Sequence, residues 1–346
     1  VKLVANSTTT IGELSVLLGM LTIRSQSHDA YFNLALEEYL FKQFSEPFFM
    51  LYRNERSVVV GKHQNALAEI NHQFVNDHNI KVVRRLSGGG TVFHDMGNVN
   101  FMFIATGKTD QVVDFRKYMD PVREALLKLD LDVYYSKRND LFIDGKKISG
   151  NAEHAVRKRV LHHGTLLFSA QLDALRGALN VHADRYFGRA VQSVRSTVTN
   201  INTYLKQELA IEAFMDRVEK EVQALHPNSQ VYALTPTDIH AVEQLMEEKY
   251  KRWDWNFGYS PKYRFKNAWT PINGFEDIEL AVEKGRLTEV SFEGNVLTTE
   301  MRTAFGDLLV GQRHRLTDIQ RALEQCQPFV EAFPIANRMD FVKSLF

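Results

Sequence analysis

The run RRLSGGGTVFHDMGN, residues 84–98, gathers three consecutive glycines, two arginines, a histidine and a carboxylate. It lies between two apolar stretches, Ile80–Val83 and Val99–Ile104, which read as strands, so the run is expected to be a tight loop at the edge of a sheet. Gly88, Gly89 and Gly90 lack Cβ atoms. They can turn sharply and bring backbone N–H groups against an anion. Arg84 and Arg85 add permanently charged donors that suit a phosphate or a carboxylate. A glycine triplet alone is equally compatible with a mobile hairpin turn, and it is the neighbouring arginines, His94 and Asp95 that favour chemistry. The spacing is neither G-x-G-x-x-G nor a Walker loop, so any nucleotide is bound in another way.

Three further clusters follow within about eighty residues. Lys137-Arg138-Asn139-Asp140 places a carboxylate at the mouth of a strand, beside an amide and two cations. Asp140 suits Mg²⁺ held jointly with a substrate phosphate, and it suits a solvated turn equally well. Asp144-Gly145 marks a hairpin between Asp140–Ile143 and Lys147–Gly150. Strand alternation puts Lys147 and Ser149 on one face and Lys146 and Ile148 on the other, so only one lysine of the pair can enter a shared pocket. In the third cluster His162 and His163 face opposite ways, which argues against a joint metal site, and no H-E-x-x-H pattern supports zinc. Polar lining or core hydrogen bonding is the expected role of these histidines. Ser87 lacks a G-x-S-x-G context, and the single cysteine, Cys326, is far from every cluster. Hydrolytic and cysteine-based catalysis are therefore disfavoured.

The elements that must hold these residues are those of a mixed-sheet α/β or α+β protein. Ala30–Phe44 and Ala66–Asn76 read as helices, Phe48–Tyr52 and Ser57–Gly61 as strands, Asp114–Leu129 as a helix and Val133–Tyr135 as a strand. Ile239–Tyr250 reads as a helix closed by WDWNFG, and Tyr259–Thr270 shows no clear periodicity. Strands at Ile278–Val282 and Arg286–Phe292 and a helix at Thr317–Gln325 follow. A chain of 346 residues exceeds the usual single core. The expected division is a large catalytic domain over residues 20–257 and a small α+β domain over 262–346, with residues 1–19 an extension.

Lysine plus arginine equals aspartate plus glutamate at 42 each, which removes any global bias toward nucleic acid or an anionic membrane. One cysteine excludes an internal disulfide framework, and no apolar run approaches the roughly 20 residues of a membrane helix. The N-terminal segment lacks a convincing cleavage pattern, so a cytoplasmic location is expected.

Taken in order, DAYFNLALEEYL, VVVGKHQN, RRLSGGGTVFHDMGN, KRNDLFIDGKKISGNA, HHGTLLF and SVRSTVTN resemble the blocks of the lipoate-protein ligase family, within the biotin and lipoate ligase superfamily. WDWNFG extends the likeness to the domain boundary. The resemblance implies a class II synthetase-like catalytic domain and a two-step reaction. Lipoate and ATP give lipoyl-AMP and pyrophosphate, and a protein lysine then takes the lipoyl group. It places the essential lysine on Lys147, the glycine-loop arginine on Arg85, the loop histidine on His94, and the magnesium-associated carboxylate on Asp140. The implied adenylate-binding set is Arg85, Ser87, Gly88, Gly89, Gly90, Val92, His94, Asn98, Asn139, Asp140, Lys147, Ser149, Gly150, His163 and Gly164. The apolar tunnel for the acyl chain is expected from Phe101–Ile104 with Leu86 and Val92. The implied acceptors are apo lipoyl domains of 2-oxoacid dehydrogenase E2 subunits and the glycine cleavage H protein, with the ligase a monomer. Alternatives are a lipoyltransferase that uses preformed lipoyl-AMP, an octanoyl- or biotin-transferring relative, and a non-catalytic lipoyl-domain-binding protein.

Overall fold

A computed structural model of the chain describes residues 19–106, 115–179 and 182–346. Nearly all of the segment read as an extension, residues 1–19, lies outside the described residues. The central element is a six-stranded mixed sheet. Its strands are β1 (Leu21–Arg24), β2 (Phe48–Tyr52), β6 (Asn98–Thr106), β10 (Asn151–Val156), β11 (Arg159–Leu167) and β13 (Gln230–Val231), in the order β10-β11-β6-β2-β1-β13. Alternation along β2 and β6 explains why Phe48–Tyr52 and Phe101–Ile104 are apolar on both faces: each face has its own cover. Phe49, Leu51, Phe101 and Phe103 pack with Val122, Phe214 and Val218 of helices Phe115–Leu127 and Ile211–Leu225. Phe48, Met50, Met102 and Ile104 face Leu34 and Leu40 of helix Ala30–Gln43.

Two small sheets flank the site. One has β3 (Ser57–Val60) between β4 (Lys81–Arg84) and β5 (Val92–His94), parallel to the first and antiparallel to the second. The glycine loop therefore has to cross over β3 to join its neighbours. The other contains β7 (Tyr134–Tyr135), β8 (Leu141–Ile143) and β9 (Lys146–Ser149). Its hairpin turns on Asp144 and Gly145, whose φ angles are +48° and +71°, the pair of left-handed residues that a two-residue turn requires.

The helix read over Ala66–Asn76 is two short ones, Ala66–Glu69 and His72–Asp77. Asn71 breaks it because its side chain accepts from the Phe74 N–H at 3.1 Å and starts a new helix. The stretch Tyr259–Thr270, read as aperiodic, contains β14 (Tyr263–Trp269). Tyr263, Phe265 and Trp269 are buried at alternate positions while Arg264, Lys266 and Ala268 between them are exposed.

β14 pairs with β12 (Tyr186–Gly188) on one side and, on the other, with a meander of β15 (Glu276–Glu283) and β16 (Arg286–Gly294). Helices between Thr299 and Ser344 cover this smaller C-terminal α+β domain. Val58, Val60, Val82 and Phe93 share one apolar cluster with Phe265, Leu280, Phe292 and Phe341, so the small domain packs directly behind the β3 sheet. Among the described residues no helix is long and apolar enough to cross a membrane.

His314 sits in that packing, and its partners make it an acid-sensitive element. The Leu345 carbonyl can only accept, so Nε2–H donates to it at 2.6 Å, and Nδ1 accepts from the Tyr263 hydroxyl at 2.7 Å. Burial pushes the ring down to about 4 from the ordinary 6.5. Between those values the unfolded chain binds more protons than the folded one, so this contribution to stability is complete above pH 6.5 and lost toward pH 4. Melting temperature followed over that interval should fall with pH, and His314→Gln should flatten the slope. An unchanged slope in the variant would refute the assignment.

Candidate active site

The glycine loop is shaped from within by Arg85. Its Nη2 donates to the Gly88 and Gly90 carbonyls at 2.6 and 2.7 Å, Nη1 to the Val59 carbonyl at 3.1 Å, and Nε to Ser87 Oγ at 2.9 Å. The loop therefore curls around a cation, with Gly89 at φ +86°. On the outside of the curl Gly61 packs so closely that a Cβ there would lie 2.2 Å from the Gly89 carbonyl oxygen. Burial pulls the Arg85 guanidinium down to about 10, which leaves it charged at neutral pH. Arg84, read with Arg85 as a donor beside the loop, points the other way. It is fully buried and bonded to backbone carbonyls of residues 61–64 and 255–256, because alternation along β4 turns consecutive side chains to opposite faces.

From Ser87 the bonding continues inward. Arg85 Nε can only donate, so the Ser87 hydroxyl is free to donate to His163 Nε2 at 2.6 Å. His163 Nδ1 meets Glu37 Oε2 at 2.8 Å, and the other oxygen of Glu37 accepts from Tyr52 at 2.9 Å. The Nδ1–H tautomer of His163 satisfies this chain throughout. His162 faces away, as alternation requires, with Glu153 at 2.9 Å.

Arg85, Gly89, Gly90, Tyr52 and His163 help to bound a cavity of about 350 Å³. Its buried end is formed by Leu34, Tyr52, Val59 and His163, its open end by Arg138, Val191 and Gln192. Asp140 and Lys147 stand at its wall as an ion pair of 2.9 Å. Lys146 instead lies at the hairpin turn, 3.6 Å from Asp144. A second cavity of about 730 Å³ adjoins the first and shares with it Thr91, Val92, Lys147, Gly150 and the segment 192–194. His94 lines the first cavity. Burial, with Arg85 and His163 nearby, pushes its ring down to about 3, and its Nε2 has no bonding partner.

Of the residues singled out by sequence, Arg85, Gly89, Gly90, Val92, His94, Asp140, Lys147, Gly150, His163 and Gly164 line the first cavity, and Ser149 lines the second. Four stand behind the wall. Ser87 bridges Arg85 to His163, and Gly88 closes the loop through its carbonyl. Asn98 donates to Asn100, which itself lines the cavity, and the Asn139 carbonyl accepts from Asn151. The apolar wall differs from expectation. Phe101–Ile104 pack into the two cores beside the sheet, and of the expected tunnel residues only Val92 borders the cavity. Leu34, Tyr52 and Val59 supply its apolar end, with Glu37 just behind. The sequence hint near them is the set of polar residues Asn33, Glu37 and Glu38 among the apolar positions of helix Ala30–Gln43.

Comparison with known proteins gives a consistent result. Residues 29–223 match the model of the lipoyl protein ligase A/B catalytic domain, and residues 260–345 that of the bacterial lipoate protein ligase C-terminus. The chain is 36% identical over 310 residues to the lipoate-protein ligase LplJ of Bacillus subtilis, covering 88% of this chain and 94% of that one. A bipartite lipoate protein ligase from Thermoplasma acidophilum, solved together with its E2 lipoyl domain, superposes with a TM-score of 0.60 at 24% identity, covering 70% of this chain and 97% of its own. Lipoate-protein ligase A bound with ATP superposes with a TM-score of 0.57 at 22% identity, covering 70% and 98%. At these identities the two structures speak to the fold.

Proposed function

The chain belongs to the lipoate-protein ligase family, and from that premise we propose that it activates lipoate with ATP and transfers the lipoyl group to a lysine of an apo lipoyl domain. In the first step a lipoate carboxylate oxygen attacks the α-phosphorus of ATP, forming the acyl–phosphate bond as pyrophosphate leaves. In the second, the unprotonated amine of the acceptor lysine attacks the acyl carbon, AMP leaves and the amine gives up its proton. The observation that carries this reading is Lys147, paired with Asp140 and shared by the walls of two cavities, one ending in Leu34, Tyr52 and Val59, the other wide enough for a nucleotide.

In this reading the acyl chain lies toward the apolar end and the carboxylate points to Lys147. Lys147 Nζ draws carboxylate and α-phosphate together and stabilises charge that grows on the phosphorus oxygens, where a fixed cation acts more strongly than water. Arg85 contributes by holding the glycine loop in shape, since its donors are already engaged with the loop. Asp140 is the acidic residue on the wall of the first cavity, and no cluster of three or more potential metal ligands occurs among the described residues. One carboxylate completed by phosphate oxygens and water is a donor set that Mg²⁺ accepts, so Asp140 fits that ion. Bound there, the ion supplies neutralisation of phosphate charge.

The acceptor classes proposed are the E2 lipoyl domains of 2-oxoacid dehydrogenases and the glycine cleavage H protein. The test supplies purified protein with lipoate, MgATP and an apo lipoyl domain, then repeats it with octanoate and with preformed lipoyl-AMP. Pyrophosphate release with a lipoyl mass gain on the acceptor is the expected result. Mass gain from preformed lipoyl-AMP alone would make the protein a lipoyltransferase, and no gain from any donor would overturn both readings.

A further inference from the structure

The segment 190–196 runs as an extended strap along the border of the two cavities, and Gln192, Ser193, Val194 and Ser196 belong to the walls of both. Val191 N–H donates to the His63 carbonyl at 3.1 Å, and Lys147 N–H donates to the Thr197 carbonyl at 2.9 Å. Val194 between them is 63% exposed. The centre of the strap is held by Ser193. Its Oγ accepts from Thr91 N–H at 2.8 Å and from Gln64 Nε2 at 3.0 Å, and its hydroxyl donates to the carboxylate of Glu69. Ser193 N–H donates to the same carboxylate at 3.1 Å. Ser193 thus ties the strap both to Thr91, the residue that follows the glycine triplet, and to Glu69, which is 8% exposed at the end of helix Ala66–Glu69.

We infer that Glu69 is a positioning residue: through Ser193 it latches the strap over the junction of the cavities and retains the acyl adenylate until the acceptor amine arrives. This rests on the ligase reading above. An acyl adenylate is one covalent molecule with an acyl end and a nucleotide end, so it fills both cavities and its mixed anhydride lies where their walls meet, against the strap. Water reaching that bond would return lipoate and AMP, so closure there protects the intermediate. The Glu69 carboxylate has neutral donors from Ser193 on both oxygens, a set that fixes direction at a site where a lysine or arginine partner would compete for the phosphate.

The test loads the full-length protein with preformed lipoyl-AMP, removes the excess by gel filtration, and follows the retained adenylate with time. Loss of a hydrogen bond to a buried carboxylate should make Ser193→Ala and Glu69→Gln release it about tenfold faster, in chains that remain folded. In turnover, pyrophosphate released per acceptor lipoylated should then exceed the stoichiometric ratio, a leak that a merely structural role would not produce. Ser193→Thr, which keeps the hydroxyl, should retain the adenylate. Should Glu69→Gln fail to fold, Ser193→Ala, at a partly buried position, decides alone. Retention equal to wild type in Ser193→Ala, or loss in Ser193→Thr equal to that in Ser193→Ala, overturns the latch. A wild-type protein that retains lipoyl-AMP, with variants that leak it, supports the latch even where absent pyrophosphate release from lipoate and MgATP refutes the ligase reading.

Discussion

Lys147→Ala is expected to lower lipoyl-AMP formation by about a thousandfold, the effect of removing one preorganised charge from a developing oxyanion. Its melting temperature should stay near wild type, because the side chain stands at a cavity wall and its bonded partner there is Asp140. Lys146→Ala should remain within about twofold, since its contact is an exposed pair with Asp144 of the kind that contributes little. Pyrophosphate release under lipoate and MgATP measures the first step, and the acceptor mass after addition of lipoyl-AMP measures the second. Equal losses from the two lysines, or a loss confined to Lys146, would show that the register of the Lys146–Ser149 strand has been misjudged. Asp140→Ala should impair the first step in a way that added Mg²⁺ partly restores; insensitivity to Mg²⁺ would detach the metal from this carboxylate.

Arg84→Ala is expected to destabilise the fold by about 3–5 kcal/mol, the range for breaking a buried charged network by removing one partner. Arg84 is fully buried. It donates to the carbonyls of Gly61, Lys62, Gln64, Trp255 and Asn256 and to Ser260 Oγ, at 2.8–3.2 Å. None of these is a carboxylate, so the cation is held by oriented dipoles, and burial lowers its pKa to about 10. The same bonds join the segment beside the glycine loop to the segment that leads into the small domain, so the loss should appear in chemical denaturation of the whole chain. Arg84→Lys should also fall well short of wild type, because an ammonium cannot reproduce the planar fork that reaches both segments. A cost below about 1 kcal/mol for Arg84→Ala would mean that these carbonyls find water instead.

The two arginines mark the point at which local reading stops. Adjacent in the chain and identical in type, they are indistinguishable by residue chemistry alone, only the family resemblance singled out Arg85, and a strand places them on opposite faces. Which face holds the pocket depends on β3 lying beside β4, and that pairing is not encoded in either arginine. Glu37 is a similar case. Within its helix it is one of three buried polar residues, with Asn33 and Glu38, while its partners Tyr52 and His163 come from β2 and β11 of the central sheet. The strap residues Val191–Ser196 overlap a block that resembled the family, yet no pattern of charge or period marked them as a wall shared by two cavities.

What the sequence determined by itself is what short-range stereochemistry controls. Gly88–Gly90 between two apolar stretches marks a tight loop, Asp144-Gly145 supplies two left-handed residues to a hairpin, and period-two alternation puts Lys146 and Lys147 on opposite faces, so that only one of them can enter a shared pocket. Each follows from bonds within a few residues, so no distant partner is needed. Only the tertiary structure decided the rest. Packing put Leu34, Tyr52 and Val59 at the apolar end instead of Phe101–Ile104, because those phenylalanines were claimed by the cores on either side of the sheet. It paired β12 with β14 and buried the alternate face of the latter, turning a charged and seemingly aperiodic stretch into a strand. It also aimed Arg85 into its own loop, since a guanidinium enclosed at that position must satisfy its donors with the nearest carbonyls. Register and turn geometry are local. The choice of face and partner is a long-range competition for burial and hydrogen bonds, settled only when the sheets assemble.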